Sequence, residues 1–100
     1  MKSLNGAQRR FLKSLAHHLK PVVQIGKSGI SDALVESVSQ ALDSHELIKI
    51  RFTDQKDQKK QFTADIVKRT GSHSVAILGN ISILYRQNSD SEKRKVDLPA

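Results

Sequence analysis

Hydrophobic residues change period repeatedly along this chain, and that alternation limits the folds open to it. Leu4, Phe11, Leu12, Leu15, Ala16 and Leu19 share one side of a 3.6-residue wheel, which predicts a helix over about Asn5 to His18. Asn5 is a good N-cap with Gln8 three residues on, and Pro21 stops the helix. Val22 to Ile25 reads as a short, mostly buried strand. Ser31 then caps a second helix whose stripe is Leu34, Val35, Val38, Ala41 and Leu42. Glu46 to Phe52 alternates as a second strand, with Ile48, Ile50 and Phe52 on one face and Leu47, Lys49 and Arg51 on the other.

The stretch TDQKDQKK carries no hydrophobic residue and reads as a loop running into a third helix. Phe62, Ile66 and Val67 anchor that helix, and Gly71 is its natural stop. Ser74 to Leu78 and Ile81 to Arg86 flank Gly79-Asn80, a turn dipeptide that joins two strands into a hairpin. The order α-β-α-β-α-β-β predicts an α/β fold with a mixed sheet packed by helices. Val75 and Ile77 alternate with Ala76 and Leu78, so the last strands are apolar on both faces and the sheet needs cover on both sides. Helix one is expected to cover the second face. A single domain over residues 1–98 is predicted, with segment 88–100 loosely ordered although Val96 and Leu98 could dock.

The charge narrows the partners. At 100 residues the net charge is +7, an excess that attracts polyanions and speeds their encounter. With no cysteine, neither a disulfide framework nor a thiolate metal site is possible. No apolar run approaches the ~18 residues needed to span a bilayer, and the N-terminal stretch lacks a signal-peptide core. A cytoplasmic monomer with no membrane partner, small-molecule substrate, metal or other cofactor is expected.

Gly26-Lys27-Ser28-Gly29 lies between the first strand and the second helix, where a backbone can approach a phosphate closely and helix N–H groups point at it. It is not a nucleotide-binding Walker loop. That loop needs a glycine where this chain has Pro21, which has no N–H to offer. His17, His18, His45 and His73 have no ligand spacing, the acidic residues form no evident pair, and no serine sits in a nucleophile elbow. Catalysis is unsupported. Asp32, one residue past the cap, should partly repel an incoming anion, so Lys27 must outweigh it.

Arg9, Arg10, Lys13 and His17 share the polar side of helix one, Lys20 follows it, and Lys49, Arg51 and Arg86 lie on or at the ends of strands. A G-x-x-G loop beside a helix start is also how KH modules clamp a nucleic-acid backbone. Aromatics are scarce, namely Phe11, Phe52, Phe62 and Tyr85, and the phenylalanines look like core, so base stacking is not expected to dominate. Recognition of structured RNA through its backbone and shape is the expected mode, with strong salt dependence.

Four stretches carry a resemblance: QRRFLKSLAHHLKP, VQIGKSGIS, HELIKIRF and ILGNISILYR. Together they resemble the CRM domain (chloroplast RNA splicing and ribosome maturation) in its small stand-alone bacterial form, the YhbY-like family, from Leu4 to Leu98. The resemblance implies an RNA-binding domain with a four-stranded mixed sheet, similar to the C-terminal domain of translation initiation factor three. It places the family's loop at Gly26, Lys27, Ser28 and Gly29; beside it, the pattern of basic residues itself makes Arg9, Arg10, Lys13, Lys20, Lys49, Arg51 and Arg86 the wider electropositive footprint. It also implies ribosomal RNA in precursors of the large (50S) subunit as the partner. An RNA-annealing or intron-splicing helper, and a basic protein-interaction module, are the rival readings.

Overall fold

In the computed structural model, which describes residues 3–100, the helix and strand patterns resolve into the expected order. The elements are α1 (Gly6–Ala16), β1 (Val23–Ile25), α2 (Asp32–His45), β2 (Leu47–Phe52), α3 (Lys59–Thr70), β3 (His73–Leu78) and β4 (Ile81–Tyr85). Short 3-10 turns span Lys56–Gln58 and Ser91–Lys93. The sheet order is β1-β2-β4-β3. β1 runs parallel to β2 through the α2 crossover, whereas β4 is antiparallel to both β2 and β3. The sheet is therefore four-stranded and mixed.

Local signals place the boundaries. Asn5 Oδ1 accepts from Gln8 N–H at 2.7 Å while Gln8 Oε1 accepts from Asn5 N–H at 3.0 Å, a reciprocal capping box. Ser31 Oγ accepts from Leu34 N–H at 3.1 Å to open α2. Gly71 closes α3 with φ +69°, a left-handed value that favours glycine.

Two apolar layers sandwich the sheet. Ile25, Ile48, Ile50, Phe52 and Leu84 meet Val38, Leu42 and Ile66 from α2 and α3 on one face. On the other, Leu47, Val75, Ile83 and Tyr85 meet Leu4, Leu12 and Ala16 of the α1 region, with Val96 and Leu98 packed alongside. Helix α1 does cover the second face.

Four expectations need correction. β1 begins at Val23, and its neighbour Val22 is exposed, because β1 is an edge strand that α1 does not reach across. Leu15 and Leu19 are likewise exposed: α1 ends at Ala16, and both side chains border an open hollow beside Leu47 and Val96 instead of a sealed core. Glu46 is not the first strand residue. It caps α2 at φ +62°, and its side chain is wholly buried.

The fourth correction follows from that buried carboxylate. Segment 88–100 is tied down rather than loose: Glu46 accepts backbone N–H bonds from Asn88 at 2.5 Å, Lys95 at 2.6 Å and Val96 at 2.9 Å. Gln8 Nε2 adds a bond to the Pro99 carbonyl at 2.8 Å. A buried carboxylate persists only when fully hydrogen-bonded, and the tail supplies the donors. Tyr85 lies beneath this latch. Its hydroxyl is buried with no partner in hydrogen-bonding geometry, and burial, then the Glu46 charge, pushes its pKa up against the smaller opposing pulls of Arg94 and the nearby Gln87 side chain.

Candidate nucleic-acid interface

The glycine loop begins where β1 ends. Gly29 N–H donates to the Gly26 carbonyl at 3.0 Å, closing a four-residue turn with Lys27 and Ser28 exposed at its tip. Gly29 sits at φ +64°, and a Cβ there would stand 3.3 Å from the Gln55 amide. Gly26 has no such constraint, because its nearest obstacle is Thr53 Oγ1 at an ordinary 3.6 Å. The two glycines therefore differ in role: Gly29 permits the turn, and Gly26 only lightens it.

The loop is splinted from the β2–α3 connection. Gln55 Nε2 donates to the Lys27 carbonyl at 2.6 Å, and Thr53 Oγ1 donates to the Ile25 carbonyl at 3.2 Å. Gln55 itself adopts φ 51°. Sequence reasoning missed Gln55, because a lone amide in a polar run carries no periodic signal. It also missed Arg69. That guanidinium lies 3.6 Å from the Asp32 carboxylate and 3.3 Å from Asp65. Asp32 is thus partly compensated, and the repulsion expected near the loop is weaker than its charge alone implies. A polar hollow of about 470 Å³ lies between loop and helix, lined by Ser28, Gly29, Gln55, Gln61, Asp65 and Arg69 among others.

Helix α1 crosses the sheet from edge to interior. At its start Arg9 Nη1 donates to the carbonyl of Ser74 on β3, with Val75 O also within 3.5 Å. At its end Lys49 Nζ, on β2, reaches the His17 carbonyl at 3.5 Å. One flank of the helix faces the docked tail, through Gln8 and Pro99. The other flank carries Lys13 and His17, with Arg10 beyond them, bordering a shallow hollow of about 400 Å³.

Strand register then fixes what lies past that flank. Leu47 packs beneath α1, so Lys49 and Arg51 point to the same side by alternation. Gln24 is opposite Arg51, Arg51 is opposite Ile81, and Ile81 is opposite Leu78, forming one row across the sheet that α1 leaves open. The row lies at the strand ends from which the glycine loop departs, since Ile25 is opposite Phe52. Lys56 joins this end, beside Arg51 and Asn80 around a hollow of about 400 Å³. Lys49 and Arg51 therefore lie on the α1 side of the sheet beside the Lys13 flank, and Arg51 marks the end from which the Gly26–Gly29 loop departs, whereas Arg10 folds back toward Gly6 at the start of α1.

Three predicted residues fare differently. Arg9 is exposed but leans on the β3 carbonyls. Lys20 lies beyond the helix, next to Leu19 and Lys95 rather than Lys13. Arg86 is consumed internally: Nη1 donates to Ser39 Oγ at 3.1 Å and the Thr70 carbonyl at 2.7 Å, while Nη2 donates to the Ser39 carbonyl and Asp43 Oδ1, each at 2.8 Å. Its guanidinium joins α2 to α3 and β4, which corrects its assignment to the basic footprint. Near Arg9, His73 has its pKa lowered, first by burial and then by neighbouring positive charge that includes Arg9.

Among the described residues, no group of three or more histidine, aspartate or glutamate side chains converges as a metal site. No helix of the described residues is long and apolar enough to cross a membrane.

Comparison with known proteins places this geometry in context. The family model for the CRS1/YhbY (CRM) domain matches residues 4–86. The chain is 37% identical over 97 residues to "Probable RNA-binding protein YqeI" of Bacillus subtilis, covering 96% of this chain and 99% of that one. It is 39% identical over 100 residues to a protein named "RNA-binding protein" of Haemophilus influenzae, covering 99% and 98%. The solution structure of hypothetical protein SAV1595 from Staphylococcus aureus superposes with a TM-score of 0.80 at 33% identity, covering 96% of this chain and 99% of that one.

Proposed function

The chain belongs to the CRS1/YhbY (CRM) domain family, and from that premise we propose that it is a non-catalytic RNA-binding protein acting on ribosomal RNA during large-subunit assembly. One observation carries the proposal. Lys49 and Arg51 stand at the open corner of one sheet face, Lys13 lies on the neighbouring flank of α1, and Lys27 projects at the same end of the sheet from a turn held open by Gly29 and Gln55. Lys27 and the loop N–H groups hold backbone phosphates, and Lys49 and Arg51 extend the contact over the open sheet corner. Related proteins named as RNA-binding support the partner class. The open row offers Gln24, Leu78 and Ile81 but no aromatic ring, so affinity comes from charge and shape rather than stacking.

Filter binding of structured ribosomal RNA fragments at several salt concentrations tests the interface. Lys27→Ala, Lys49→Ala and Arg51→Ala should each weaken binding and lower the salt slope by ~1. Unchanged affinity and slope in all three would remove the interface. Sedimentation of the tagged protein tests the setting separately: absence from precursor large-subunit fractions would overturn the assembly role while leaving RNA binding intact.

A further inference from the structure

The described residues include four exposed large hydrophobics, and three of them sit together where α1 ends, bordering Lys49 but across α1 from Lys13. Leu15 is 42% exposed, Leu19 39% and Val22 50%. They wall a groove of about 470 Å³ floored by Leu47, between the end of α1, the end of α2 and the docked tail. That volume lies within the ~300–1,000 Å³ typical of ligand sites. Leu15 and Lys13 are two residues apart on a helix, hence ~200° apart around it, so groove and basic flank look in nearly opposite directions. An apolar cluster of this kind on a domain with a complete core elsewhere marks an interaction surface.

The chemistry of the rim selects the occupant. Lys20 and Lys95 border the groove, and no carboxylate lines it. The nearest candidate, Glu46, is turned inward and spent on the tail N–H groups. A second copy would bring its own +7 charge to a positive rim. RNA gains little from aliphatic walls with no aromatic face to stack on. We propose that this groove docks an apolar segment, flanked by aspartate or glutamate, of a partner protein. The aliphatic side chains would fill the space between Leu15, Leu19 and Val22, and the flanking carboxylates would meet Lys20 and Lys95. The protein would thereby hold RNA on one side of α1 and a protein on the other. This inference does not depend on which RNA the basic corner binds.

The test uses the full chain in its native cells, with p-benzoylphenylalanine in place of Leu19 in one strain and of Lys13 in another. Photolysis at position 19 should give a protein adduct whose crosslinked peptide, sequenced by mass spectrometry, has apolar residues between acidic ones. That peptide, made synthetically, should bind the purified protein. Leu19→Glu should weaken it at least tenfold and Lys95→Glu severalfold, with RNA affinity unchanged. Lys95→Glu, on an exposed side chain, serves as the deciding variant if Leu19→Glu fails to fold. An RNA adduct, a self-adduct or no adduct at position 19 would overturn the proposal, as would a peptide that binds both variants normally. Position 13 reports on the RNA reading independently, because its failure there leaves the position-19 result standing.

Discussion

Replacing Glu46 by Gln should release the tail while leaving the backbone where it is. The carboxylate holds three N–H donors, from Asn88, Lys95 and Val96. Glutamine keeps one oxygen for Lys95 and Val96 but turns an amide NH₂ toward the Asn88 donor. One charge-assisted bond worth ~1.5–3 kcal/mol is lost, and two others fall toward the ~1 kcal/mol of neutral bonds. Relief from burying a charge offsets part of this, leaving a net cost of ~2 kcal/mol. At 1.4 kcal/mol per tenfold, that is a ~30-fold larger population of the opened tail. Amide hydrogen exchange at Lys95 and Val96 reads it directly. If the tail and domain unfold together, the thermal midpoint also drops by ~8–16 °C. Tyr85 gives a second readout: its pKa should fall on losing the Glu46 charge yet stay raised, because burial is the larger cause. Protection at Lys95 and Val96 within twofold of the parent would refute the latch.

Other substitutions separate structure from binding. Arg86→Lys cannot reproduce a fork reaching Ser39, Thr70 and Asp43, and should cost ~2–3 kcal/mol in denaturant unfolding without changing RNA affinity of the folded protein. Tyr85→Phe removes a buried hydroxyl that has no partner, so stability should stay within ~0.5 kcal/mol or rise; a loss above ~1 kcal/mol would mean the hydroxyl is satisfied. His73 has a folded pKa below its ordinary 6.5, so the unfolded chain takes up the proton first as pH falls through that window. Stability should therefore decline from pH 7.5 to 5.5, and His73→Gln should reduce the difference between unfolding midpoints measured at the two values.

Much of the fold can be read along the chain because its signals are local. Asn5 with Gln8, Ser31, Gly71 and Gly79-Asn80 act within a few residues, and each marks the boundary it suggests. The glycine loop is legible for the same reason. What escapes is polar and distant. Glu46 meets Lys95 and Val96 across about fifty positions, and no periodicity announces a carboxylate that will be buried. Arg86 looks like any strand-end cation until α2 and α3 close around it. Gln55 and Arg69 matter only because the α3 end lies beside the loop. Conversely, Leu15, Leu19 and Val22 fit an apolar stripe, yet the stripe is wider than the sheet it covers.

The contact between Arg9 and β3 bears on how concentrated this protein can become. β3 is an outer strand, and its ladder slips between Ser74 and Ala76, where an arginine takes up carbonyl oxygens. A neighbouring molecule seeking to extend the sheet there meets a kinked template already occupied by a cation. The opposite border offers β1, only three residues long. Neither border offers a long, flat template, so strand-by-strand addition of further copies is disfavoured at both edges of the sheet.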